Sequence, residues 1–151
     1  MDERILVALD GSALAEAVFP AVMRLARAEA FGVTLLHIST PAERSQSELW
    51  VAAAPSELRR QWEIEALTAM NNYLAAVAER FRAEDLDATT EVVAAPDAAD
   101  AILDYVEQHP EIFLVAMSTH GRTGLSRLAL GSVAMKVLHS ATKPILMIRA
   151  V

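Results

Sequence analysis

The sequence predicts an α/β fold: a single-domain, open, parallel five-stranded sheet with helices on both faces. Three observations predict it. Short apolar runs alternate with longer stretches of helical periodicity along the whole chain. No two of these runs are joined by a hairpin turn, so successive strands need crossovers, which are right-handed and place helices over the sheet. The length, 151 residues, is that of one ordinary domain able to bury its own core, so residues 1–151 are taken as a single domain.

The elements follow in order. Arg4 to Leu9 is a short apolar run stopped by the turn cluster Asp10-Gly11-Ser12, the pattern of a buried strand. From Ser12 to about Ala30, Leu14, Val18, Val22 and Leu25 recur at helical spacing, with Pro20 inside the stretch; this proline is expected to kink the helix or weaken its second turn. Val33 to Ile38 forms a second buried strand, and residues 39–55, carrying Pro41 and Pro55, form a loop. A long helix starts near Ser56 as its N-cap and runs to about Ala83. Leu58, Trp62, Leu67, Met70, Leu74, Val77 and Phe81 are expected to line one face of it.

Thr89 to Ala94 gives a third strand. Pro96-Asp97 opens a helix through about Gln108, with Asp97 and Asp100 spaced as in a capping box in which Asp replaces Glu. Ile112 to Met117 is apolar without alternation, as a strand buried on both faces requires. A segment Ser118-Thr-His-Gly-Arg-Thr-Gly124 follows, then Gly131-Ser132 opening a helix to about His139, then the closing strand Lys143-Pro-Ile-Leu-Met-Ile148.

Bulk composition narrows the function. The chain is 54% hydrophobic but only 5% aromatic, so alanine, leucine and valine supply most of its apolar surface. Its formal charge of −7 repels phosphate backbones, which argues against nucleic acid and anionic membrane as partners. There is no cysteine, which excludes disulfide scaffolds, thiolate zinc sites and thiol nucleophiles. The N-terminus Met1-Asp2-Glu3-Arg4 is too acidic to open a secretory signal, and no apolar run reaches the ~20 residues of a membrane helix. A cytoplasmic protein is expected.

Ligands of parallel α/β sheets bind beyond the C-terminal strand ends, where strand order reverses. Two strand ends carry suitable chemistry: Asp10-Gly11-Ser12 after the first, and the glycine loop after the fourth. Gly121 and Gly124 flank Arg122-Thr123, and nine residues separate Gly121 from Gly131. Glycine lets backbone N–H groups approach a ligand closely. The helix start at Gly131-Ser132-Val133 adds unpaired N–H groups and partial positive charge, a natural seat for phosphate. Thr123 and Ser132 offer hydroxyls, and Arg122 and Arg127 offer charge. Glycines after a strand also serve simply to make the turn, and Ser132 also suits a plain N-cap. The pattern is neither a P-loop nor a dinucleotide fingerprint.

Ile5-Leu-Val-Ala-Leu-Asp-Gly-Ser12, Leu35-Leu-His-Ile38, Ser118-Thr-His-Gly-Arg-Thr-Gly-Leu-Ser-Arg127 through Gly131-Ser-Val133, and Lys143-Pro-Ile-Leu-Met-Ile148 together resemble the universal stress proteins, over essentially the whole chain. The expected architecture is Rossmann-like, with strand order 3-2-1-4-5. In nucleotide-binding members the C-terminal motif is Gly-x2-Gly-x9-Gly-Ser/Thr; here its second and third glycines fall on Gly121 and Gly131, its Ser/Thr on Ser132, and Ser118 replaces the first glycine. The resemblance implies ATP, possibly with Mg. It implies that Ala8, Leu9 and Asp10 contact adenine and ribose, and that Ile38 packs on the base or hydrogen-bonds it through its main chain. Met117, Ser118, His120 and Gly121, with Arg122 and Gly124 in the same loop, would border ribose and phosphates, and Gly131, Ser132 and Val133 would hold the phosphates. Asp10 would accept from ribose hydroxyls or hold a divalent cation; it also suits a turn. The Cβ of Ser118 is expected to weaken binding. Pro96 and Phe113, which depart from the family pattern, are expected to pack locally away from the nucleotide.

The resemblance also implies a homodimer through the last strand, Lys143 to Arg149, whose apolar edge needs a partner. The remaining candidates are bland. His120 is expected to fix its loop by a hydrogen bond, His37 to be a satisfied core histidine, and His109 and His139 to sit at helix C-termini. Trp50 falls in a loop and Trp62 in the core. No catalytic residue and no metal cluster stands out. The function expected is a nucleotide-binding regulatory or stress-response protein. A non-nucleotide dimeric scaffold is the alternative, and a slow ATPase ranks below both.

Overall fold

The computed structural model describes residues 2–41, 53–120 and 130–150. Strand β1 (Arg4–Ala8) leads through a 3-10 turn (Ala15–Val18) into α1 (Phe19–Glu29). Then come β2 (Gly32–Ser39), α2 (Ser56–Arg82), β3 (Ala88–Ala94), α3 (Ala98–Gln108), β4 (Ile112–Ser118), α4 (Ser132–Ser140) and β5 (Ile145–Ile148). The five strands form one sheet in the order β3-β2-β1-β4-β5, and every pairing is parallel. The expected architecture and strand order are both present, and the ends of β1 and β4, which carry the two candidate loops, are neighbours.

Alternation along β1 sends its side chains to two separate cores. Ile5, Val7 and, just past the strand, Leu9 pack with Val22 of α1 and Leu74, Val77 and Phe81 of α2. Leu6 turns the other way and joins Leu36 and Ile38 of β2 against Ile102 and Val106 of α3 and Val137 of α4. Phe81 meets Phe19 edge-on, with ring centroids 5.2 Å apart and planes at 77°. Complete burial of side chains of this size contributes about 1.5–3 kcal/mol each. The sheet thus has α1 and α2 on one face and α3 and α4 on the other.

Three local expectations are corrected. Pro20 does not kink a helix: the segment before it is the 3-10 turn, and Pro20 is the second residue of α1. A first-turn N–H has no intrahelical partner, so its loss there is harmless. Ser56 is not a cap: Pro55 occupies that place and makes no side-chain bond to the helix. The single apolar face of α2 also fails. Leu74, Val77 and Phe81 are buried, whereas Leu58 and Trp62 are each 38% exposed. At about 100° per residue, Leu58 and Trp62 lie roughly 160° and 120° round the helix from Leu74, off its core-facing side. Trp50 lies outside the described residues.

Other local expectations hold. The carboxylate of Asp97 caps α3 by accepting the Asp100 N–H at 2.9 Å. His109 ends α3, its Nδ1 donating to the Tyr105 carbonyl at 2.8 Å and its ring stacked on Tyr105. No helix among the described residues is long and apolar enough to cross a membrane.

Candidate functional site

β1 is followed by a crossover to β2 on one side, and β4 by a crossover to β5 on the other. The connections leaving these paired strands therefore run in opposite directions, and a crevice opens between them. A cavity of about 530 Å³ occupies it, lined by Ala8, Leu9 and Asp10 at the end of β1, Leu36 and Ile38 of β2 with Thr40 just past it, and Met117 and Ser118 of β4 with Thr119 and His120 just past it. Gly131, Ser132, Val133 and Ala134 at the start of α4 form another wall, and Pro96, Asp97, Ala98 and Ile102 at the start of α3 close the side. The size is that of an ordinary small-molecule pocket.

At the β1 end, Gly11 has φ 84, a conformation glycine adopts without a Cβ penalty. It turns the chain so that Asp10 Oδ1 accepts both the backbone N–H of Ser12 (2.9 Å) and its hydroxyl (2.6 Å). Ser12 Oγ in turn accepts the Ala15 N–H at 3.2 Å, which starts the 3-10 turn. Asp10 is thus a turn former and a cavity wall at once. Behind it, Glu16 accepts the Tyr73 hydroxyl at 3.0 Å. Burial first, then the Glu16 hydrogen bond and charge and the nearby Asp10 charge, hold the Tyr73 hydroxyl well above its ordinary pKa.

Leu9 lines the cavity with its main chain already engaged. Its N–H donates to Leu36 O at 2.9 Å, and its carbonyl accepts from His37 Nδ1 at 2.8 Å. A carbonyl only accepts, so Nδ1 of His37 carries the proton. His37, 2% exposed, is the satisfied core histidine expected. Ile38 is different. Along β2 the backbone groups of successive residues face opposite neighbours. Gly32 N–H reaches Glu3 and Leu36 O accepts from Leu9, while Val33 N–H reaches Asp87 and Ser39 O accepts from Ala95. Ile38 therefore turns its N–H and C=O to the β1 side, beyond the last bond that β1 and Leu9 make to β2.

At the β4 end, Ser118 is buried and its hydroxyl donates to the His120 carbonyl at 2.6 Å. Its polar atom is spent on shaping the loop. Thr119 N–H donates to Ile148 O at 2.9 Å, and Thr119 O accepts the Gly131 N–H at 2.8 Å. The Gly131 amide, expected to face a phosphate, is thus occupied by the protein itself. A Cβ on Gly131 would stand 3.3 Å from that carbonyl, so its glycine serves close approach; its φ of −60 is ordinary. Ser132 is not the N-cap, since Gly131 holds that place, and α4 has no side-chain cap bond among the described residues. The N–H groups of Ser132, Val133 and Ala134, in the first turn, have no intrahelical acceptor.

His120 fixes its loop as expected, Nδ1 lying 2.9 Å from Thr119 Oγ1. Its Nε2 is buried and meets no hydrogen-bond partner among the described residues. Asp97 and Asp100 at the start of α3 both contact Lys136 of α4, at 3.3 and 2.8 Å. The Asp100 N–H, then Lys136, hold the Asp97 carboxyl below its usual range, and Asp100 chiefly raises Lys136. No group of three or more His, Cys, Asp or Glu suited to a metal occurs among the described residues.

Ten of the residues singled out in the sequence therefore share this cavity: Ala8, Leu9, Asp10, Ile38, Met117, Ser118, His120, Gly131, Ser132 and Val133. Gly121, Arg122 and Gly124, like Thr123 and Arg127, lie outside the described residues. Pro96 was expected away from the site and instead forms part of its wall. Asp97 and Thr40 were not anticipated as wall residues; the proximity of β3 and α3 to Ile38 is set by sheet order, which no local motif displays. Phe113 does lie elsewhere, its ring against Phe31.

A doubly wound parallel sheet, with a crevice at its switch point and a helix start lining that crevice, defines a Rossmann-like α/β protein. The chain belongs to the universal stress protein family, whose model matches residues 1–149. It is 28% identical over 155 residues to the universal stress protein YxiE of Bacillus subtilis (strain 168), covering 99% of this chain and 100% of that one. Among solved structures it resembles the hypothetical protein MJ0577, with TM-score 0.81 and 22% identity over 100% of this chain and 98% of that one. It also resembles the Archaeoglobus fulgidus universal stress protein in complex with dAMP, with TM-score 0.67 and 18% identity over 97% of each chain. Two further universal stress proteins of the same fold hold AMP and cAMP.

Proposed function

We propose that this protein binds an adenine nucleotide, ATP in particular, in the crevice between β1 and β4, and acts as a cytoplasmic regulatory protein whose nucleotide state alters its conformation or its choice of partner. One observation carries the reading: a single cavity is lined both by Ile38, whose main chain faces the β1 side beyond the last bond to β2, and by the first turn of α4. The first supplies a donor and an acceptor for a purine edge, flanked by the apolar walls of Leu36 and Met117. The second supplies N–H groups and the positive end of a helix dipole for phosphate. Asp10 lines the same cavity, and its carboxylate is suited to accept from ribose hydroxyls. The adenine nucleotides held by proteins of this fold support the same assignment.

In this reading Ala8, Leu9 and Asp10 border the nucleoside and Ile38 meets the base. Met117, Ser118 and His120 border the ribose and phosphates, and Gly121, Arg122 and Gly124, which follow in sequence, are assigned to the same role. Ser132 and Val133 hold the phosphates, and Gly131 shapes their seat. Magnesium would arrive with the phosphates, because Asp10 Oδ1 already serves Ser12. A homodimer through Lys143–Arg149 belongs to the same proposal: β5 is a sheet edge of half-buried apolar residues, which a second copy would cover.

The second reading, a dimeric scaffold without nucleotide, is favoured by the capture of the Gly131 amide by Thr119 and of the Ser118 hydroxyl by His120. Mass spectrometry of the small molecules that copurify with the protein separates the two. The nucleotide reading expects AMP, ADP or ATP at a substantial fraction of the protein concentration. Protein that arrives empty and gives no calorimetric heat with millimolar ATP would leave the scaffold.

A further inference from the structure

We propose that Lys136 reads the phosphate chain of the nucleotide, held by Asp97 and Asp100 in the empty protein and transferred to the outer phosphates when a di- or triphosphate is bound. The inference rests on the nucleotide reading above and deepens it, by naming a residue outside the glycine motif that distinguishes ATP from AMP.

Position comes first. Lys136 stands four residues after Ser132, on the same face of α4 and one turn further on. Helical side chains lean toward the N-terminus, so its ammonium reaches back over the first turn. There it meets Asp100 at 2.8 Å and Asp97 at 3.3 Å, and Asp97 is itself a wall of the cavity. A full positive charge therefore waits one hydrogen bond behind the cavity wall, on the side where α4 begins.

Charge balance gives the reason. The cavity wall presents two carboxylates, Asp10 and Asp97, on a chain of formal charge −7. The first turn of α4 contributes only about half a positive charge, which falls further short of a triphosphate than of a monophosphate. An ammonium is the natural complement. The present partners of Lys136 do not hold it tightly: all three side chains are about half exposed, and exposed ion pairs are weak. Exchange of one carboxylate for a more highly charged phosphate oxygen therefore meets little opposition. Lysine suits the task, being a mobile point charge on a flexible stem.

The test is calorimetric titration of ligand-free wild type, Lys136→Met and Asp100→Asn with AMP, ADP and ATP, with thermal melts to establish that each is folded. Lys136→Met is expected to weaken ATP about tenfold, the size of one lost charge-assisted hydrogen bond, and to change AMP less than about twofold. Asp100→Asn, which removes the charge of the nearer of the two carboxylates holding the ammonium without altering the cavity wall, is expected to tighten ATP about threefold and leave AMP alone. Equal losses for AMP and ATP in Lys136→Met, or no loss, overturn the inference; so does unchanged ATP affinity in Asp100→Asn. Those outcomes leave the nucleotide reading standing. A wild type that binds none of the three removes both.

Discussion

The backbone N–H of Gly131 donates to the carbonyl of Thr119 at 2.8 Å, so the start of α4 is tied to the residue just past β4. That bond holds one wall of the crevice against another and sets where the first-turn amides of Ser132, Val133 and Ala134 point. Gly131→Ala would place a Cβ 3.3 Å from the same carbonyl. We expect destabilisation of about 1–2 kcal/mol, a fall in Tm of roughly 2–8 °C, and weaker nucleotide binding. An unchanged melting curve would show that the bond does not fix the helix start.

His37 supports the opposite wall through its bond to Leu9 O. In His37→Leu the buried carbonyl loses its donor, at a cost of about 1–3 kcal/mol. Chemical denaturation measures it. Because Leu9 bounds the crevice, nucleotide affinity should fall in the same variant.

Asp97 gives a pH-dependent test. Its carboxyl is held below the ordinary value of 3.8, first by the Asp100 N–H. A depressed folded-state value means that the cap stabilises the protein above pH 3.8 and that this contribution is lost as pH falls through the lower, folded-state value. Asp97→Ala should cost about 1 kcal/mol at pH 7, and the gap from wild type should narrow steadily below about pH 4. A gap that stays constant to pH 2.5 would place the stabilisation elsewhere.

The two halves of α2 should respond very unequally to truncation. Phe81 is fully buried, so Phe81→Ala is expected to cost about 3–5 kcal/mol. Trp62, 38% exposed, should cost less than about 0.5 kcal/mol when changed to alanine. A large loss at Trp62 would mean that its ring is covered in solution.

These residues also show what the sequence could and could not disclose. Runs such as Ile5-Leu-Val7 and Leu35-Leu36 announce strands because strands buried on both faces leave no polar positions. The site residues near Asp10 and Gly131 were legible because turn and helix-start chemistry is local. The misplacements have physical causes of longer range. Leu58 and Trp62 look core-like in composition but stand on the wrong side of α2. Pro96 reaches the crevice only because β3 lies beside β2. The engagement of Leu9 by Leu36 and His37, and of Gly131 by Thr119, depends on register and loop closure between segments far apart in the chain. No residue type marks such bonds in advance.

The account depends most on the convergence of the Ile38 main chain and the first turn of α4 on one ligand. Titration of isotopically labelled, ligand-free protein with AMP, followed through its backbone amide resonances, tests this directly. The amides of Ile38, Ser132 and Val133 should shift together and saturate with a single dissociation constant, while Leu9 and Gly131, already bonded to Leu36 and Thr119, should move least. No saturable shift at millimolar AMP, or shifts confined to residues away from the crevice, would contradict it.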